Sequence, residues 1–324
     1  MGGGLEHERR HEDRDPRGVV RMRYWVGVTD KSWFTQLRRE RPEEVNFWQP
    51  SPSIPTNLLQ PGVAFLFKLH SPDNFIVGGG FFVRFSVLPA RLAWEAFGTR
   101  NGVKDYAALR ARIAHFWGAV RTDPEIGCNL LCQPFFFEDA DWIPAPASWP
   151  ANTVRGKTYD TTERTGQDLW LEVAARLGME QRTVAAEAEA ERYGAPFLTR
   201  ARLGQGSFRV LVTDAYQRKC AISGEKTLPV LEAAHIRPYA DEGPHRVSNG
   251  LLLRADLHKL FDDGYVTVTE DRHVLVSPRI REEFENGREY YRFDGKPLVT
   301  VPSDLWSQPS REFLRWHNSE IFQG

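Results

Sequence analysis

Apolar residues change their rhythm near residue 160. Before it they fall in short aromatic and β-branched runs; after it come helical spacing and then more strand-like stretches. Order is expected to begin with YWVGVTD at residues 24–30, a strand by composition. A short helix over 33–39 follows, then a loop carrying the three prolines of VNFWQPSPSIP. Residues 62–89 read as a strand, a Ser-Pro-Asp-Asn turn and a second long strand. Gly78, Gly79 and Gly80 interrupt that strand, which marks a bulge or a sharp bend. Residues 105–120 place Leu109, Ile113, Phe116, Trp117 and Val120 on one helical face, and GCNLLCQPFFF reads as a further strand. Phe65, Phe67, Phe81 and Phe135 are assigned to the core. Several strands with one or two helices predict an α+β unit over 21–162, built on a small, strongly bent sheet or barrel.

The flanks differ in composition. Residues 1–20 are charged and glycine-rich with almost no apolar content, which predicts a disordered tail. Residues 163–202 read as a helical linker whose small and charged residues stop at Gly194 and Pro196. A second domain is expected over 203–324. It opens with a helix in SFRVLVTDAYQRKC that turns Phe208, Leu211, Val212 and Ala215 inward. A strand in PVLEAAHI, a long loop to Asn249, a helix from about Ala255, a strand pair in GYVTVTEDRHVLVSP and a closing amphipathic helix follow.

The candidate chemistry lies in that strand, loop and helix. His235 is followed after 14 residues by Asn249, after 9 more by His258 and after 4 more by Asp262. On a helix, His258 and Asp262 stand at i and i+4 and project from one face, where an imidazole and a carboxylate can share a divalent cation. His235 sits on the strand and can face them. The Asn249 amide carries both donors and acceptors, so it can fix the loop and orient an imidazole. Phosphodiester hydrolysis suits such parts: a histidine as general base on water, and a metal beside the phosphate.

The segments CAISGE, EAAHIRP and SNGLLLRADLHKLFDDGY, within residues 216 to about 275, resemble the HNH endonuclease family. The resemblance implies a C-terminal ββα-metal fold and a nuclease dependent on one Mg²⁺ or Mn²⁺ per site. His235 would be the general base, Asn249 the middle asparagine, His258 the metal-binding histidine of the helix and Asp262 a further ligand. One departure stands out. Many members carry an acid or a histidine just before the first His, and this chain has Ala234 there. Glu232, two residues back, and Asp256, at the start of the helix, are the two candidates to compensate. Asp256 is taken with His258 and Asp262 as the expected ligand set. Some members also hold a structural zinc on four Cys. With Cys220 alone nearby, none is expected here. His245 and His273 are left without a role.

Over residues 21–162, the order of YWVGVTD, VNFWQPS and PGVAFLFKLHSPDNFIVGGGFF resembles the EVE branch of PUA-like domains. That resemblance implies recognition of a modified base, flipped out of the stack and held between aromatic faces. Trp48 is the leading candidate for a pocket wall, with Asn46, Phe47, Gln49, Trp25 and His70 beside it and Gln133 as a further possibility. Most aromatic rings in such a domain are core, and any one of these is open to that reading. Together the two resemblances imply a modification-dependent restriction endonuclease acting on duplex DNA, with modified cytosine the expected target. Two alternatives stay open: an HNH nuclease acting on RNA or unmodified DNA, and a reader of modified nucleic acid that does not cut.

Charge alters this picture little. Lys and Arg number 42 against 43 Asp and Glu, so no global basic excess advertises a nucleic-acid partner. Local strips count for more. Arg202 and Arg209 lie in a basic stretch that is either a solvated helix face or a phosphate contact, and Lys157, with Tyr159 beside it, is a weaker candidate of the same kind. The three Cys offer no paired framework, no apolar run nears the ~18 residues of a membrane span, and no signal-peptide pattern is seen; a reducing cytoplasm is the expected compartment. A double-strand break by single-strand cutters needs two sites, so a homodimer is a further expectation.

Overall fold

The computed structural model describes residues 22–53, 59–117, 122–178 and 203–324. The tail expected over 1–20, most of the linker region, and Arg202 lie outside them. No described helix is long and apolar enough to cross a membrane.

The N-terminal unit is built on one mixed sheet. Its strands are β1 (Arg23–Thr29), β2 (Glu44–Gln49), β3 (Ala64–Leu69), β4 (Phe75–Pro89), β5 (Glu125–Phe136), β6 (Ile143–Pro144) and β7 (Gly156–Asp160). The order is β2-β5-β4-β3-β1-β7, with β6 on the side of β4. Only the β1–β3 pair is parallel; every other pair is antiparallel. The expected barrel is not seen: β2 and β7 end the path, and no pair among the described residues closes it. The pairing is irregular at the glycines, as a bulge there predicts, and again between Phe82 and Arg84. The β4 register shifts against β3 at Phe67/Lys68 and against β5 between Gly79 and Phe81.

Helices cover the sheet. α1 (Lys31–Glu40) buries Trp33, Phe34 and Leu37. α2 (Ala90–Phe97) and α3 (Tyr106–Trp117) pack on the β2–β5 end. Leu109 and Ile113 are buried as expected, but Phe116 points to solvent. α4 (Arg164–Leu177) falls in the stretch read as a linker. Its Leu169, Trp170 and Val173 are buried against Tyr24, Val26 and Tyr159, so it forms part of the N-terminal core.

The C-terminal unit starts at α5 (Gln205–Ala215). It continues through the antiparallel pair β8 (Leu231–His235) and β9 (Gly250–Arg254), α6 (Ala255–Asp262), and the pair β10 (Val266–Val268) and β11 (Val274–Val276). Two short helices, α7 (Arg279–Phe284) and α8 (Arg288–Tyr291), lead to α9 (Arg311–Glu320), which closes the core with Leu314.

α5 is apolar on two faces, and this welds the units together. Phe208 and Val212 enter the C-terminal core, while Val210 and Leu211 enter the cluster made by α2, α3, β4 and β5. The start of α5 leaves backbone N–H groups that need acceptors. The fully buried Glu44 carboxylate of β2 supplies them, accepting from Gly206 N at 2.8 Å and Ser207 N at 2.9 Å. Arg100 completes the pairing with its guanidinium. Glycine is required at 206, because a Cβ there would lie 2.5 Å from the Ala96 carbonyl oxygen. Farther along α5, Asp214 accepts from the Ser86 hydroxyl at 2.7 Å and faces Arg84.

Removing the Glu44 carboxylate would strand two buried amides and one guanidinium. Glu44→Ala is expected to cost on the order of 3 kcal/mol of unfolding free energy. Urea titration of the two proteins checks it; an unchanged midpoint would show that the contact is dispensable.

Candidate active site

In the C-terminal unit His235 and His258 line one cleft, and His258 meets Asp262 one turn along α6. β8 ends on His235, opposite Gly250 of β9. Between the two strands the chain makes a long loop, and Asn249 pins it. Its Oδ1 accepts from Arg237 N at 2.9 Å, and its Nδ2 donates to the carbonyls of Arg237 at 2.9 Å and Pro244 at 3.0 Å. Asn249 is wholly buried. It therefore acts as a fastener of the loop.

His235 lies flat on the Phe208 ring of α5, with centroids 3.9 Å apart and planes 10° apart. Its Nε2 is 2.9 Å from Nδ1 of His245. Burial, with the positive charges that His245 and His258 would carry as smaller causes, pulls the His235 imidazole from 6.5 down to about 4. The ring is thus neutral at physiological pH, as a general base must be. His245 itself stacks on Tyr239 at 4.6 Å, and burial lowers its basicity too.

His258 lies between two carboxylates. Nδ1 donates to Glu232 Oε2 at 2.7 Å, and Nε2 is 3.3 Å from Asp262 Oδ2. Partial burial lifts the Asp262 carboxyl above its usual range. With the ring neutral and its hydrogen on Nδ1, an imidazole lone pair and a carboxylate oxygen face each other, an arrangement that favours a cation between them. Glu232 behind the ring is the kind of partner that orients a metal-binding imidazole. Among the described residues, no group of three or more His, Cys, Asp and Glu gathers as a full protein cage. The donor set, one imidazole nitrogen and one carboxylate oxygen, fits a hydrated divalent ion with two protein ligands.

Asp256 does not join them. Its carboxylate is held by the Arg254 guanidinium through two contacts, of 2.6 and 2.7 Å, and this pairing keeps it ionised below the usual carboxylate range. Of the two candidates to stand in for the acid missing at Ala234, the structure brings Glu232 to His258. Ala234 itself is buried in the core.

A cleft of about 260 Å³ opens over His235, Glu232 and His258, and its other wall comes from the N-terminal unit through Glu95 and Arg100. Arg209 of α5 lines it as well, 3.1 Å from Glu95. The sequence reading missed His245, Glu95 and Arg100. His245 follows His235 by ten residues, and only the path of the pinned loop returns it to the strand. No local pattern announces Arg100.

The six residues expected to line a base pocket do not converge. Neighbours on a strand face opposite sides. Accordingly, Phe47 is packed among Trp33, Phe65 and Phe67 on one side of β2. Asn46 and Trp48 turn the other way, donating to Asn101 Oδ1 at 2.9 Å and Asn101 O at 3.0 Å. Asn46 is fully buried, and Trp25 nearly so. Gln49 donates to Ser51 O at 3.0 Å. His70 is half exposed beside Asp30. Gln133 sits at the bulge in β5 with positive φ. Lys157 lies over the Tyr159 ring at 4.9 Å.

Comparison with known proteins bears on the C-terminal unit. The profile of the HNH endonuclease family designated HNH_2 matches residues 220–269, a span that holds His235, Asn249, His258 and Asp262. Residues 220–269 are an HNH endonuclease domain. Comparison with curated proteins returns no match. Four chains of known structure match. One is a "Modification dependent TagI restriction endonuclease", at 12% identity and TM-score 0.25, covering 86% of this chain and 76% of that one. A superposition that loose carries no argument about substrate.

The C-terminal unit should weaken in mild acid. His235 and, near the end of the chain, the buried His317 are both held neutral down to about 4 by burial. Between about 6.5 and 4 the unfolded chain binds protons that the folded chain refuses, so stability is full above 6.5 and is lost as pH falls through that window. Urea midpoints at pH 7.5 and 5.0 check the sign: the lower value belongs to pH 5.0, and equal midpoints would contradict the burial of these rings.

Proposed function

We propose that the chain is a modification-dependent restriction endonuclease. In this reading the N-terminal unit, read as a PUA-like domain, selects duplex DNA bearing a modified base, modified cytosine foremost. The HNH domain then hydrolyses a nearby phosphodiester. The observation that carries the proposal is the shared cleft: a neutral imidazole, His258 between two carboxylates, and arginines from both units face one cavity.

The chemistry follows from the side chains. His235 takes the proton of an attacking water at its free ring nitrogen. Asn249 holds the loop around it, and Phe208 fixes the plane of its ring. His258 and Asp262 would hold Mg²⁺ or Mn²⁺, kept in place through Glu232. Such an ion, when bound, offsets negative charge on the phosphate and on the departing oxygen. Arg209 and Arg100 line the same cleft and are the cations there that a phosphate could meet, each already paired with a carboxylate, Glu95 and Glu44 respectively. The products are a 5′-phosphate and a 3′-hydroxyl. A duplex break takes two such sites, which supports a homodimer on DNA. Three buried, unpaired thiols suit a reducing cytoplasm.

A non-cutting reader is the second reading, and Ala234 in place of the family's usual acid favours it. One assay separates the readings: matched plasmids, unmodified, cytosine-methylated and hydroxymethylated, incubated with Mg²⁺ or Mn²⁺ or with EDTA. Metal-dependent cutting of modified plasmids alone is the expected result. Cutting of all plasmids would remove the reader function, and binding without cutting under any metal would leave a degenerate site.

A further inference from the structure

We propose that His245 is a positioning residue that accepts a hydrogen bond from His235 and so fixes which nitrogen of His235 is free to take a proton. The inference rests on the nuclease reading for its purpose, but its geometry stands alone.

The two rings share one hydrogen bond, His235 Nε2 to His245 Nδ1, at 2.9 Å. One nitrogen donates and the other accepts. If His245 donated, the His235 Nε2 lone pair would be occupied and its hydrogen would sit on Nδ1. Neither nitrogen could then receive a proton from water. If His235 donates, its Nδ1 keeps a lone pair, and no described residue makes a hydrogen bond to that nitrogen. Only the second tautomer is a base.

Three contacts hold His245 to this task. Its ring stacks on Tyr239 with planes 8° apart. The carbonyl of the preceding Pro244 accepts from Asn249, which fastens the loop on which His245 rides. Phe208 lies under His235 and tilts 50° to His245, so the two imidazoles meet over one aromatic floor. Asn249 therefore serves His235 through His245. The Glu44 clasp serves it through Phe208 on α5.

Asparagine can place a carbonyl oxygen near the position of a histidine Nδ1, and alanine cannot. This makes a paired test on the full chain, His245→Asn and His245→Ala. With ¹⁵N-labelled histidine at neutral pH, imidazole nitrogen shifts should show His235 protonated at Nε2 in the parent and in His245→Asn, and a mixture of tautomers in His245→Ala. In parallel, kcat for DNA cleavage should fall about 10²-fold in His245→Ala with KM nearly unchanged, and His245→Asn should recover most of it. A parent spectrum with the hydrogen on His235 Nδ1 overturns the proposal, as does an undiminished kcat in His245→Ala. A parent that cuts no DNA would sink the nuclease reading instead, and the nitrogen spectrum would still decide the hydrogen bond.

Discussion

One buried carboxylate joins the two halves of this molecule. Glu44 lies at the start of a strand in the N-terminal sheet, yet two of its hydrogen bonds go to the first amides of the helix that opens the C-terminal unit. A lone carboxylate would be costly to bury. This one is matched by helix N–H groups, by the favourable end of the helix dipole and by Arg100. The geometry leaves no room for a side chain at Gly206. Because that helix carries Phe208 under His235, the clasp fixes where the HNH histidine stands relative to the sheet. Arg100 then serves twice, as partner of Glu44 and as part of the wall facing His235 and His258.

The site itself depends on keeping the His235 imidazole neutral and on aiming the rings. Burial does the first. A set of single-purpose contacts does the second: Phe208 and His245 for His235, Glu232 for His258, Asn249 for the loop. None of these contacts is long-range electrostatics, so a chain with almost no net charge can still present a concentrated reactive cleft.

Much of this was legible in the sequence because the relevant spacings are local. His258 and Asp262 are one helical turn apart, and His235 and Asn249 bracket one strand–loop unit, so period and turn chemistry place them. The inward set Phe208, Leu211 and Val212 was legible for the same reason, although not that it serves two cores. What failed was non-local or depended on competing partners. Asp256 has the right address for a ligand, but Arg254, two residues away, takes its carboxylate. Phe47 and Trp48 are neighbours in sequence and therefore opposites on a strand. The barrel was inferred from strand count and bend, while closure is a matter of which edges meet. Arg100 and Glu95 reach the cleft only because α5 docks on α2.

The most direct measurement is single-turnover cleavage of a DNA duplex by the full chain and by His235→Ala, under one divalent-metal condition and at equal occupancy of the DNA. The account predicts a loss of at least about 10²-fold in the cleavage rate with DNA binding retained. Equal rates in the two proteins would place the base elsewhere and contradict the assignment of this cleft as the reaction centre.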